Sequence, residues 1–81
     1  MMDEKYYSSS EVTRKLDISL RQLYYWELKG IVTPNLITLG SREFKRYSHN
    51  DFDTLKKVKR YLDQGFTLTS AVQKVKEISK Q

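Results

Sequence analysis

Two serines, each followed three positions later by a side chain able to reach back, open two short amphipathic stretches only a few residues apart: Ser8 with Glu11, and Ser19 with Gln22. A serine hydroxyl in this position accepts a hydrogen bond from an amide that a helix start leaves unpaired, and the polar residue can return the bond. The first helix is expected from Ser9 to Lys15 or Leu16, with Val12 and Leu16 one turn apart on its inner side. Asp17 and Ile18 form a tight connection, and the second helix runs from its Ser19 cap to about Lys29, where Gly30 stops it. Two helices joined by about three residues make a helix-turn-helix. Val12, Leu16, Ile18, Leu23 and Ile31 are spaced to close a core between them.

Helical periodicity then lapses. Pro34 ends it, the segment 36–39 (LITL) is β-prone, Gly40 and Ser41 read as a turn, and 43–47 (EFKRY) is again β-prone, so a hairpin is expected over 32–47. With Phe44 turned into the core, the two-residue period sends Lys45 outward, Arg46 inward or sideways, and Tyr47 outward unless the strand bends. The pleat alone leaves open which basic group faces a ligand.

Two further caps follow, Ser48 with Asp51 and, more weakly, Thr67 with Ser70. The third helix ends before Gly65, its apolar stripe being Phe52, Leu55, Val58 and Leu62 and its opposite side Lys56, Lys59 and Asp63. The fourth has Leu68, Ala71, Val72, Val75 and Ile78 on its inner face. The expected fold is mainly α with a small β-hairpin: four helices and a wing between helices 2 and 3, a winged helix-turn-helix in one domain spanning 1–81. Its parts are the helix-turn-helix at about 8–30, the wing at 32–47 and the helix pair at 48–79.

The residue inventory removes several classes of function. With no cysteine and one histidine, neither a disulfide framework nor a zinc cluster is available, and no metal or cofactor is expected. His49, just past the third cap, reads as a surface residue. The start MMDEKYYSSS carries two acids and no apolar run, unlike a secretory signal, and no segment approaches the roughly 20 apolar residues that cross a bilayer, so a cytoplasmic location without membrane partners is expected. No nucleophile sits beside a base and no glycine loop can cradle phosphate. Asp51 and Asp53 are two apart on one helix and do not face each other, so no catalytic pair is expected there.

Charge points to a partner class. Residues 1–40 hold five basic and five acidic side chains, whereas 41–81 hold ten and five, so the whole net charge of +5 lies in the second half. Such a surface attracts phosphate and releases counterions, which makes nucleic acid the leading partner; basic charge kept only for solubility is the alternative. On the second helix, Leu20, Leu23, Glu27 and Ile31 fall together on the inner side, Gln22, Tyr25 and Lys29 face away, and Arg21 lies on the flank. Arginine pairs with guanine and glutamine with adenine, and tyrosine meets phosphate or a thymine methyl, so Arg21, Gln22 and Tyr25 are candidate DNA contacts; a merely solvated face is the alternative. Tyr24 and Trp26, at the edges of the inner face, read as packing residues. In the hairpin, Arg42, Lys45 and Arg46 suit a backbone or minor groove. On the third helix, Lys56, Lys57, Lys59 and Arg60 form a second basic run, with Lys56 and Lys57 read as solvated.

The order YSSSEV, ISLRQLYYWELKGIV and REFKRYSHNDFDTLKKVKRYLDQGFTL resembles the DNA-binding domain of MerR-family transcription regulators over about 7–75. The family's opening corresponds to Tyr7, Glu11 and Val12, its recognition-helix run to Tyr24, Tyr25, Trp26 and Glu27, its wing strand to Glu43 through Ser48, and its Gly-Phe-Ser/Thr-Leu step to Gly65 through Leu68. The resemblance implies that the second helix enters the major groove while the wing and the last helix pair touch phosphates. It makes Arg21, Gln22 and Tyr25 groove or backbone contacts, Trp26 a further one, Lys45 and Arg46 wing contacts, and Lys59 a phosphate contact. The sequence departs from the family at Tyr24 and Lys45, both usually arginine, and at Glu43, usually glycine.

Regulators of this family continue into a helix that pairs two copies and then into a sensing part. Neither is expected in this chain, as either a fragment of a longer regulator or a short complete protein. The implied partners are double-stranded DNA, RNA polymerase at a promoter, and a second copy through a segment beyond Gln81. Three other readings stay open. An excisionase-like recombination directionality factor of phage or plasmid shares the winged fold. A protein-interaction domain would use Tyr24, Tyr25 and Trp26 as its hot spot, and its binding would barely respond to salt. Duplex RNA would reveal itself by competition.

Overall fold

The computed structural model describes residues 6–79, with the side chains of Ile78 and Ser79 outside the described set. The expected inward position of Ile78 therefore lies outside the described residues, as does the start at 1–5 that argued against a secretory signal. The elements are β1 (Tyr6–Tyr7), α1 (Ser9–Leu16), α2 (Leu20–Leu28), β2 (Asn35–Leu39), β3 (Arg42–Ser48), α3 (His49–Asp63) and α4 (Leu68–Ser79). The strands form an antiparallel sheet in the order β1-β3-β2. No described helix is long and apolar enough to cross a membrane.

All four expected caps are made. Ser8 Oγ accepts from Glu11 N–H at 3.1 Å, Ser19 Oγ from Gln22 N–H at 3.0 Å, Ser48 Oγ from Asp51 N–H at 3.0 Å, and Thr67 Oγ1 from Ser70 N–H at 3.2 Å. At Ser8 and Ser48 the carboxylate three residues on returns the bond, closing a capping box. The helix ends are equally local. After α2, Gly30 N–H donates to Glu27 O at 2.9 Å and Ile31 N–H to Trp26 O at 3.1 Å; after α3, Gly65 N–H donates to Leu62 O at 3.0 Å and Phe66 N–H to Tyr61 O at 3.1 Å. This pair of bonds requires a left-handed residue, supplied by Gly30 at φ 81° and Gly65 at φ 101°. After α1 the same role falls to Asp17, at φ 57° and ψ 50°, with Ile18 N–H donating to Thr13 O at 3.1 Å.

One core unites the elements. Val12 and Leu16 of α1, Leu23 and Trp26 of α2, Leu55 and Val58 of α3, and Ala71 and Val75 of α4 are buried with Tyr7, Val32 and Tyr47. Ile18, Ile31, Phe52, Leu62, Leu68 and Val72, all expected inside, pack against it partly buried. Tyr7, from the two-residue strand that sequence periodicity did not indicate, stacks on Phe52 with ring centroids 4.4 Å apart and an interplanar angle of 12°.

The wing corrects the expected pleat. Phe44 is 45% exposed and Tyr47 is 0% exposed, so the strand faces the other way round: Lys45 and Tyr47 turn toward the helices, Phe44 and Arg46 away. Opposed residues of an antiparallel pair share a face, and Ile37 opposes Phe44 while Asn35 opposes Arg46, which gives the outer face its members. The inward placement of Tyr47 follows from β1, whose Tyr7 pairs with it across the sheet, and from the partner its phenol finds on α2.

Candidate nucleic-acid interface

The second helix presents a wide solvent arc. Leu23 (0% exposed) and Trp26 (1%) fix its inner side, whereas Leu20 (47%), Tyr24 (40%), Tyr25 (48%) and Leu28 (82%) are exposed. Arg21 is exposed and Gln22 half-buried. These values correct three expectations. Trp26 has almost no surface to offer a ligand, so it packs rather than touching DNA, as its position at the edge of the inner face had indicated. Tyr24 sits nearer the surface than a packing residue. Leu20 lies outside because the buried side of this helix is centred on Leu23 and Trp26, which rotates the inner face away from it. Arg21, Gln22, Tyr25 and Trp26 do converge, lining an apolar groove with Leu62 and Leu68 at the corner between α3 and α4.

Glu27 joins the wing to this helix. Its carboxylate accepts from Lys45 Nζ at 2.8 Å and from the Tyr47 hydroxyl, and the same hydroxyl lies 3.5 Å from Ser9 Oγ, which donates to it. Burial, and after it the Glu27 carboxylate, holds the Tyr47 phenol well above its ordinary 10.0. Lys45 Nζ also stands 3.9 Å from the centroid of the Tyr24 ring. Glu27 and the phenol it holds thus connect α2 and β3, with the phenol reaching on to Ser9 of α1, and this fixes the attitude of the wing relative to the exposed arc of α2. Sequence reading placed Glu27 on the inner face but did not foresee this linkage, for which the only signal was a carboxylate among apolar positions.

The other wing cations remain outward. Arg46 is exposed with its guanidinium 4.7 Å from the Tyr6 ring, and exposed Arg42 lies 5.8 Å from the Phe44 ring near the turn. Lys45, by contrast, is held inward with its side chain 33% exposed. A second basic cluster forms away from the wing: Lys15 of α1 and Lys56, Lys59 and Arg60 of α3 surround a shallow depression with Asp63 and Gln64. Within it Lys59 donates to Asp63 at 2.9 and 3.1 Å, so its charge is locally balanced. Lys57 pairs similarly with Asp53 at 3.1 Å. His49 is exposed, as expected, with Nδ1 3.4 Å from the Tyr7 hydroxyl.

A family model described as MerR HTH family regulatory protein matches residues 7–78. Among solved structures, the chain is similar to a MerR-family transcriptional regulator from Bacillus cereus, with TM-score 0.75 and 21% identity over 88% of this chain and 52% of that one. It is also similar to HiNmlR, a MerR family regulator lacking the sensor domain, in a structure bound to promoter DNA, with TM-score 0.67 and 18% identity over 89% of this chain and 53% of that one. At these identities the likeness shows the fold, and the chain spans about half the length of either relative. No curated protein matches the chain by sequence.

Proposed function

Because the chain belongs to the MerR HTH regulatory protein family, we propose that it is the sequence-specific, double-stranded-DNA-binding module of a bacterial transcription regulator, working in the cytoplasm on the nucleoid. The observation that carries this reading is the exposed arc of α2, with Arg21 and Tyr25 facing solvent, beside a wing fixed to the same helix through Glu27 and bearing Arg42 and Arg46. A rigid helix with outward polar and aromatic groups suits the major groove. The wing arginines suit the phosphates or the minor groove alongside it.

In this reading α2 recognises bases through Arg21, Gln22 and Tyr25, Arg42 and Arg46 grip the flanking backbone, and the cluster of Lys15, Lys56, Lys59 and Arg60 meets phosphates elsewhere along the duplex. The task is binding rather than catalysis. Two copies on a palindromic promoter, paired through a segment beyond Gln81, would act on RNA polymerase by bending or untwisting the spacer, or by blocking it.

Selection of bound sequences from a random duplex pool at about physiological salt tests the proposal. A defined motif, with affinity falling steeply as salt rises, is the expected result. Binding that ignores salt, with no enriched motif, would overturn it in favour of a protein partner.

A further inference from the structure

The outermost positions of α2 are not those of an ordinary solvated helix. Arg21 and Leu28 are one heptad apart, so they point within about 20° of each other, directly away from the buried Leu23 and Trp26. Leu28 is 82% exposed. Tyr24 and Tyr25 precede it by four and three positions and share its face, and they are 40% and 48% exposed. The summit of the helix is therefore one arginine followed by an apolar ridge whose crest, Leu28, is largely open to solvent.

Cations border this ridge. Lys45 Nζ stands over the Tyr24 ring at 3.9 Å, and Lys29 Nζ lies 5.8 Å from the Tyr25 ring. An apolar strip rimmed by exposed Arg21 and Lys29, with the Lys45 charge beside it already taken by Glu27, is complementary to a surface that is anionic at its edges and carries isolated apolar groups at its centre. The major groove of DNA is such a surface: phosphates line its rims, and the C5 methyl of thymine is the one apolar group its base pairs display.

We infer that Leu28, flanked by Tyr24 and Tyr25, is a thymine-reading position: its side chain packs on a thymine methyl while Arg21 reads a guanine. This rests on the DNA-binding reading above and adds the base class that the C-terminal half of α2 selects. Seven residues at 1.5 Å each put the two contacts roughly 10 Å apart along the helix axis, and because a helix in the major groove is inclined to the DNA axis this spans at most about three base-pair steps of 3.4 Å. The preferred half-site accordingly holds an A·T pair within about three steps of the guanine.

The test removes only the methyl. In the duplex selected from the random pool, each thymine is replaced in turn by deoxyuridine, which keeps every hydrogen-bonding edge, and affinities are measured for the full chain and for Leu28→Ala. One position is expected to lose about fourfold in affinity on methyl removal, equivalent to about 0.8 kcal/mol for one buried methyl-sized group. Leu28→Ala, at a site exposed enough to leave the fold and its circular dichroism unchanged, should lose a similar factor on thymine DNA and ignore the deoxyuridine change. Normal binding with no sensitive thymine, a selected motif without thymine, or full methyl sensitivity in Leu28→Ala would each overturn the inference alone. No binding to any duplex at low salt would overturn the DNA-binding reading, and this inference with it.

Discussion

Lys45 Nζ lies 3.9 Å from the centre of the Tyr24 ring, so two positions at which this chain departs from the family's usual arginine touch each other. A second arginine near position 24 would compete with the cation on the wing, whereas an aromatic ring attracts it. The two departures act as a matched pair, with Glu27 taking the ammonium from the other side at 2.8 Å.

Lys45→Ala is expected to destabilise the fold by about 1–2 kcal/mol, because it removes a partly buried partner of Glu27. A double-mutant cycle with Tyr24→Ala should give a coupling of about 0.5–1 kcal/mol by urea denaturation; additive losses would show that the ring contact contributes nothing. In duplex binding, Arg46→Ala should lower the log-log salt slope by about one unit and Lys45→Ala by clearly less, since Lys45 is already engaged within the protein.

Tyr47→Phe should cost about 1–3 kcal/mol, leaving a poorly hydrated carboxylate without its phenol donor. The pH dependence follows from the raised phenol pKa. The folded state keeps the Tyr47 proton that the unfolded chain sheds above its ordinary 10.0, so this contribution is complete below that pH and is lost as pH climbs toward the folded value. Chemical denaturation between pH 9 and 11 should show the native protein losing stability more steeply than Tyr47→Phe, by up to about 1.4 kcal/mol per pH unit. Equal slopes would mean that the phenol titrates freely in the native state.

Asp17 occupies a left-handed conformation that Gly30 and Gly65 occupy at the two following helix ends. Asp17→Gly should hold or raise stability by a few tenths of a kcal/mol to about 1, and Asp17→Val should lower it by about 1–2 kcal/mol. Thermal unfolding of the two variants would decide this, and a valine variant as stable as the native chain would remove the backbone argument.

Lys59 is tied to Asp63. If it is to reach a phosphate it must leave that partner, so Asp63→Asn should tighten binding to every duplex by a similar factor, and Lys59→Ala should abolish the gain. Anisotropy titrations on specific and random DNA would reveal a base-selective effect instead, which would argue against a backbone contact.

Much of this architecture was legible because its boundaries are encoded locally. Ser8, Ser19, Ser48 and Thr67 announce helix starts through bonds to amides three residues away, and Gly30 and Gly65 announce helix ends through backbone conformations that few other residues adopt. Strand phase has no such local code. Whether Phe44 or Tyr47 turns inward depends on Glu27, twenty residues from Tyr47 in sequence, and on Tyr7 across the sheet. The strand that carries Tyr7 is two residues long, too short to show a period. On α2 the helical period placed Gln22, Tyr25 and Lys29 outward and Arg21 on the flank, but a period of 3.6 over nine residues leaves the centre of the buried side uncertain by about one position, enough to misplace Leu20 and Tyr24, to leave Gln22 half-buried and to put Arg21 outermost.

Strand β2 pairs with β3 and packs against no other element among the described residues, while β3 is anchored at its far end by Tyr47 and Lys45. Mechanically, the hairpin is a cantilever: clamped stiffly at its root and free along its span. Thermal bending should grow toward Gly40, and little strain would travel back into α2 when the tip is deflected. In the proposed DNA-binding reading, such a lever would let the wing follow local changes in groove width while the angle of the helix stays constant, so tolerance to backbone shape and strictness toward base sequence would reside in separate parts of one small domain.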